Sequence, residues 1–237
     1  DNIGGRKGTS SDEMLMNWVL TCDSIWARRT RAIIASNDAA GCFDRVVLVI
    51  AFLCMLMFTA PYPAVQSMIE AIHSMVHYIR TAFGDSSRSY GDSPHKGKPA
   101  GLLQGNGAGP TGWYSISSLM LDIMKSMGFG YQQVTPMSNT PIHQVGFSFF
   151  DDTDLIHSND TVPHEVFVQE AQAVLSTWEG LLRATGGDFR HSKSYWYLLD
   201  VIRREGDWHY ASADEKPGNL FLRHNALRYK YVSICKW

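Results

Sequence analysis

The sequence predicts an α+β domain in which helices cover one face of a mainly antiparallel sheet. Two observations carry this. Strand-like and helix-like segments follow one another along the 237 residues, with no internal repeat and no low-complexity tract. Two apolar strand candidates also run straight into aspartates, one at Asp38 and one at Asp151-Asp152. Hydrophobic residues make up 45% of the chain and charged residues 19%, enough apolar surface for a sizeable core and too little charge for global disorder.

Residues 2–11 are rich in Gly, Ser and basic residues and read as a loop. Residues 12–29 suit a helix, with Leu15, Val19, Leu20 and Trp26 on one side. Residues 31–36 suit a strand. Residues 46–58 form a very apolar helix, too short to span a bilayer and ended by Pro61 and Pro63. A second helix is expected over 64–83, where Val65, Met68, Ile69, Ile72, Met75, Val76 and Ile79 recur at helical spacing. Residues 84–100 carry Gly, Ser, Pro and Asp and suggest a loop or a weak hairpin. A Gly-rich turn leads into a helix over 110–127. The segment 144–158 reads as a hairpin with carboxylates at its tip. Thr161 is placed to cap the next helix and Pro163 to sit in its first turn. Ala171, Val174, Leu175, Trp178, Leu181 and Leu182 form that helix's apolar stripe, and Gly186-Gly187 ends it. A hairpin joins 195–202 to 207–210 through Gly206-Asp207, and 211–237 is ambiguous.

The formal net charge of −2 excludes a generally basic nucleic-acid coat but leaves room for a local groove. Basic residues gather at Arg28, Arg29 and Arg31, and again at Lys216, Arg223, Arg228, Lys230 and Lys236. A solvated face and a phosphate-facing surface explain these clusters equally well. Cys22, Cys42, Cys54 and Cys235 are widely spaced and fit free thiols of a reducing compartment, not a disulfide framework or a zinc site. No signal-peptide pattern follows Asp1, and the expected context is a longer polypeptide.

The carboxylates are the chemical centre of the sequence. Adjacent aspartates repel and persist as ions only beside a cation or in water. Alone, a pair such as Asp151-Asp152 is an acidic surface turn. Phe149-Phe150 before it and Leu155-Ile156 after it anchor this turn in a core. If the strand ending at Asp38 pairs with this hairpin, the acids converge and two Mg²⁺ ions, or Mn²⁺ in their place, can clamp an in-line phosphoryl transfer. Gly101-Leu102-Leu103-Gln104-Gly105 through Gly109-Pro110 lets backbone approach a base or sugar, and Gln104 supplies an amide; an ordinary loop before a helix has the same spelling. Lys193, after Gly186-Gly187-Asp188-Phe189, stands ready to protonate or neutralise a leaving pyrophosphate, although a lone lysine there is usually solvated. Three patterns are declined. Gly107-x-Gly109-x-x-Gly112 opens no βαβ unit. Gly186-Gly187-Asp188-Phe189 ends a helix and lacks a following acid. His73 and His77 have metal-ligand spacing but lack the intervening glutamate.

Taken together and in order, these motifs resemble the palm of a reverse transcriptase, nearest to non-LTR-like retrotransposon enzymes. Asp38-Ala39-Ala40-Gly41-Cys42-Phe43-Asp44 is similar to motif A, Gly101 through Pro110 to motif B, Phe149-Phe150-Asp151-Asp152 to motif C, and Gly186 to Lys193 to motif D. Gly4-Gly5-Arg6-Lys7-Gly8 resembles a fingers segment. The chain departs from the family pattern at Asn37, Cys42, Gly109 and His191-Ser192. The resemblance implies a polymerase palm over 31–194, a partial fingers segment over 1–30, and a hairpin and start of a thumb over 195–237, with the thumb largely absent. It implies Asp38, Asp151 and Asp152 as metal ligands and catalytic residues, with Lys193 as general acid. Ala39, Phe43, Gln104 and Gly105 would line the nucleotide, Phe43 as an aromatic gate against the ribose 2′-hydroxyl, with Arg6 and Lys7 on template or triphosphate. The implied activity is RNA-directed DNA polymerisation with two Mg²⁺. Implied partners are an RNA template, a DNA or RNA primer, dNTPs and the rest of a larger retroelement polypeptide, in the nucleus or cytoplasm and away from membranes. An RNA-dependent RNA polymerase palm and a non-catalytic RNA-binding descendant are the competing readings. Phe43 discriminates against the first, and the three intact acids against the second.

Overall fold

A computed structural model describes residues 8, 10–90, 101–102, 107–135, 137–223 and 225–230. The elements, in chain order, are α1 (Ser11–Arg28), β1 (Ala32–Asp38), α2 (Cys42–Arg45), α3 (Leu48–Met57), α4 (Tyr62–Ser74), β2 (His77–Thr81), β3 (Gly84–Tyr90) and α5 (Ala108–Ser126). There follow β4 (Tyr131–Val134), β5 (Pro141–Gln144), β6 (Gly146–Phe149), β7 (Asp152–Ser158), α6 (His164–Ala184), β8 (Tyr195–Leu199), β9 (Val201–Arg204), β10 (Asp207–Tyr210), β11 (Phe221–Leu222), β12 (Asn225–Ala226) and β13 (Arg228–Tyr229). The central sheet has five strands in the order β13-β8-β1-β7-β6, antiparallel except for the β13–β8 edge pair. Two-stranded ribbons β2–β3, β4–β5, β9–β10 and β11–β12 surround it.

Helices cover both faces of this sheet, not one. Successive strand side chains point to opposite faces. In β1 Ala32, Ile33, Ile34 and Ala35 are all buried, so both faces need a cover. Ile33 and Ala35, with Leu155, Trp196 and Leu198, join the large core beneath α3, α5 and α6, where Phe52, Trp113, Ile116, Met120, Phe167 and Trp178 pack. Ala32 and Ile34, with Ile156 and Leu199, meet Ile25, Trp18 and Cys22 of α1, together with Tyr131, Tyr197 and Tyr210. The residues of α1 turned inward are therefore Trp18, Thr21, Cys22 and Ile25. Leu15 and Leu20 of the expected stripe are more than half exposed.

Three other expectations shift. The helix expected over 64–83 stops at Ser74, and residues 77–81 pair with 84–90 around Gly84, whose φ of 111° suits glycine. Val76, Tyr78, Ile79 and Thr81 have the β-branched and aromatic character of a strand, and Val76, Tyr78 and Ile79 are exposed. The helix expected over 46–58 begins at Leu48, because Val46 and Val47 are extended and separate it from α2. Thr161 does not cap α6. Its hydroxyl and backbone N–H donate to the Asn159 side chain at 2.7 and 3.0 Å, and Pro163 takes the N-cap. The α6 stripe matches: Ala171, Val174, Leu175, Trp178 and Leu182 are buried. The helix ends at Ala184 with Thr185 as its C-cap, and Gly186 turns the chain away at φ 90°, where a Cβ would lie 2.6 Å from the Arg45 carbonyl oxygen. Among the described residues no helix is long and apolar enough to cross a membrane.

Candidate active site

β1 and β7 pair along their whole length, and the final pair sets Asp38 opposite Asp152. Directly opposed residues share a face, with Cβ atoms about 4.5–5.5 Å apart. The β6–β7 turn places Phe150 at φ 54° and Asp151 at the tip. The Asp151 carbonyl accepts the Ala39 N–H at 3.1 Å, and the Trp113 indole N–H of α5 donates to the Phe150 carbonyl. The turn is thus tied to both β1 and the core.

After α6 the chain runs back alongside the end of β1. Ala40 donates to the Asp188 carbonyl at 2.7 Å, Phe189 forms a bridge to Ala39, and Arg190 donates its N–H to the Asp38 carbonyl at 3.0 Å. A tight turn then returns the Lys193 N–H to the Arg190 carbonyl, and the chain enters β8. This path carries Lys193 Nζ to 2.9 Å from Asp38 Oδ2, with Arg190 Nε 3.8 Å from Oδ1. Lys193, a candidate from its motif, and Arg190, which the sequence did not single out, meet on one carboxylate.

Burial raises the Asp152 carboxyl above its usual range; the Asp151 and Asp38 charges add to this and Lys193 opposes it. Asp154, two residues along on the same face, is raised chiefly by burial, against a hydrogen bond from Ser36. Burial, reinforced by Asp151, pushes the Cys42 thiol up to about 12, so it is an inert neighbour of the carboxylates.

Phe43 lies on α2, half-buried, its ring edge-on to Phe150 with centroids 6.5 Å apart. Gly101 packs so closely on α2 that the backbone of Phe43 and Asp44 fills the space a Cβ would need. Leu102 is fully buried beneath Gly112 of α5. These contacts fix where the segment before α5 leaves α2. Gln104, Gly105, Arg6 and Lys7 lie outside the described residues.

An open cleft of about 380 Å³ runs from the carboxylates to the sheet edge, lined by Asp38, Asp152, Lys193, Tyr195, Arg228 and Lys230 among others. The late basic cluster divides here. Lys216 pairs with Asp200, and Arg223 with Glu179 and Asp188, whereas Arg228 and Lys230 face the cleft. The early cluster is structural. Arg28 and Arg31 donate to backbone carbonyls, and Arg29 stacks between Trp26 and Trp208. Asp188 of the declined Gly-Gly-Asp-Phe sequence also bonds Arg45, and His73 and His77 lie on different elements.

Among the described residues no cluster of three or more His, Cys, Asp or Glu side chains is arranged to hold a metal by itself. The facing pair Asp38 and Asp152 offers hard oxygen donors, and Mg²⁺ is commonly held by one or two carboxylates plus substrate phosphates and water. The Lys193 ammonium already answers the negative charge at Asp38. These two carboxylates are donors of the type a hard divalent cation takes, and its remaining ligands would have to come from outside the pair.

No family model matches this sequence, and no curated protein does. Among solved structures, apo telomerase from Candida tropicalis truncated from its C-terminal domain superposes with TM-score 0.52 at 13% identity, over 89% of this chain and 41% of that one. Telomerase from the same organism in complex with a TWJ fragment of telomeric RNA gives TM-score 0.53 at 10% identity, over 90% and 34%. The chain spans less than half the length of either. At such identities the likeness is one of architecture: the chain has a reverse-transcriptase-like fold.

Proposed function

We propose that this chain is the catalytic palm of an RNA-directed DNA polymerase of the retrotransposon kind, acting within a larger polypeptide. The observation that carries the reading is the Asp38–Asp152 register, with Asp151 at the adjoining tip and Lys193 on Asp38. A repulsive acid cluster held at one sheet end is costly unless it meets a cation. Bound Mg²⁺ would supply charge neutralisation for the triphosphate and lower the barrier to attack by a primer 3′-hydroxyl on the α-phosphate.

The chain's own residues then have distinct tasks. Asp38, Asp151 and Asp152 would hold the cations, with substrate phosphates completing their coordination, and would fix the geometry of the reacting ends. Lys193 is the residue that would carry a proton at Nζ for the departing pyrophosphate and balance its charge. Phe43, braced by Phe150, would close the space beside the sugar and favour dNTPs. Ala39, Gln104 and Gly105 would line the nucleotide, and Arg6 and Lys7 the template or triphosphate.

The test is primer extension on RNA and DNA templates with the polypeptide that contains this segment, beside Asp38→Asn and Asp151→Asn. Extension by dNTPs is expected, falling at least about a hundredfold in each variant. A polypeptide that binds primer–template yet extends nothing with Mg²⁺ or Mn²⁺, or variants as active as the parent, would overturn the proposal.

A further inference from the structure

We propose that Trp113 is a positioning residue whose indole N–H locks the carboxylate turn between β6 and β7. This deepens the polymerase reading and rests on it. Phe149 pairs with Asp152, so only Phe150 and Asp151 lie between the two strands. Phe150 stands at φ 54°, and Asp151 does not share that left-handed region. A positive φ at the first central position of a two-residue hairpin loop usually belongs to glycine. For a bulky residue it is strained, and it persists only where the surrounding contacts over-determine it.

Among the described residues those contacts come from three directions. The Ala39 N–H at the end of β1 donates to the Asp151 carbonyl at 3.1 Å. The Phe150 ring meets Phe149 edge-on at 4.8 Å and Phe43 at 6.5 Å between centroids. Trp113 donates its indole N–H to the carbonyl of Phe150, the strained residue itself. Ring contacts can slide. A hydrogen bond to that carbonyl fixes the plane of the peptide joining Phe150 to Asp151, and with it the direction in which Asp151 leaves the turn. Asp38 and Asp152 are set by strand pairing, so Asp151 is the acid that depends on this bond. The donor is itself fixed. Trp113 is 2% exposed in the first half of α5, and beside it Leu102 packs so tightly on Gly112 that a Cβ there would lie 2.6 Å from the leucine side chain. Packing at this position asks only for a large ring, whereas the bond needs a donor that phenylalanine lacks.

The experiment compares the parent polypeptide with Trp113→Phe and with benzothienylalanine placed at position 113, which keeps the bicyclic shape and puts sulfur where the indole carries N–H. Mn²⁺ is titrated at constant ionic strength without nucleotide and read by electron paramagnetic resonance. Loss of the bond lets the turn leave its competent state, and apparent affinity falls with the population of that state. Both replacements should bind Mn²⁺ roughly three- to tenfold more weakly. The Mg²⁺ concentration giving half-maximal primer extension should rise by the same factor, with the rate at saturating Mg²⁺ and KM for dNTP near the parent values. Parental Mn²⁺ affinity in the benzothienylalanine protein overturns the proposal, because any loss in Trp113→Phe then belongs to ring volume. A rate defect that saturating Mg²⁺ does not repair overturns it too, since general loosening of the fold acts at every metal concentration. If Mn²⁺ binding weakens as expected but the parent extends no primer, the polymerase reading fails and the positioning role stands. If the parent extends primers and neither replacement needs more Mg²⁺, only the positioning role fails.

Discussion

Replacing Lys193 by methionine should tighten divalent-cation binding even as it impairs catalysis. The Lys193 ammonium lies 2.9 Å from Asp38 Oδ2, and its side chain is 58% exposed. Water screens such a pair, so breaking it costs only about 0.2–1 kcal/mol. A divalent cation seated on Asp38 must displace the lysine and then tolerate it nearby. At about 7 Å in water-like dielectric that repulsion is about 1 kcal/mol. The two contributions together are about 1–2 kcal/mol, which corresponds to roughly tenfold in affinity. The assay is Mn²⁺ titration at constant ionic strength, read by electron paramagnetic resonance without nucleotide. Lys193→Met should bind Mn²⁺ about tenfold more tightly than the parent, and Asp38→Asn should bind it more weakly. Equal or weaker binding by Lys193→Met would show that the lysine does not compete for the cation's place, and the reasoning would fail.

Two further outcomes are expected. Gly101→Ala places a methyl group where the backbone of Phe43 and Asp44 already lies, and backbone cannot swing aside; a loss of about 1–3 kcal/mol in urea unfolding is expected, with unchanged m. An unaltered midpoint would refute that packing. His157 is buried against Phe167, and burial lowers its pKa below the ordinary 6.5 despite the opposing Glu170. The unfolded chain therefore takes up a proton near pH 6.5 that the folded one refuses, so this group's share of stability falls as pH drops through that value. Asp152 and Asp154, raised by burial, pull the opposite way at lower pH, so the comparison is made within one background. His157→Gln should flatten the loss between about pH 7.5 and pH 5.5, and parallel curves for both proteins would refute the assignment.

The acids were legible because their signal is local. Apolar runs into Asp38 and into Asp151 mark two strand ends, and in the fold they meet as the last antiparallel pair. The amphipathic helices around residues 110–127 and 164–184 were equally plain, since their apolar positions recur at helical spacing over several turns. The stretch 75–83 failed because its apolar spacing fits both periods, and only pairing with 84–90 decides it. On α1 the apolar letters Leu15 and Leu20 suggested a face that the sheet does not meet. The contact is made through Trp18, Cys22 and Ile25, because β1 is buried on both sides.

By itself the sequence marked candidate acids and most of the segments that would seek a core, because residue type and short-range period are written along the chain. Strand order and register were left to the tertiary structure, since they arise from hydrogen-bonded partners far apart in sequence. That ordering is what sets Lys193 on Asp38, divides one run of basic residues into structural ion pairs and cleft-facing cations, and brings Arg228 into one cleft with acids that lie on other strands.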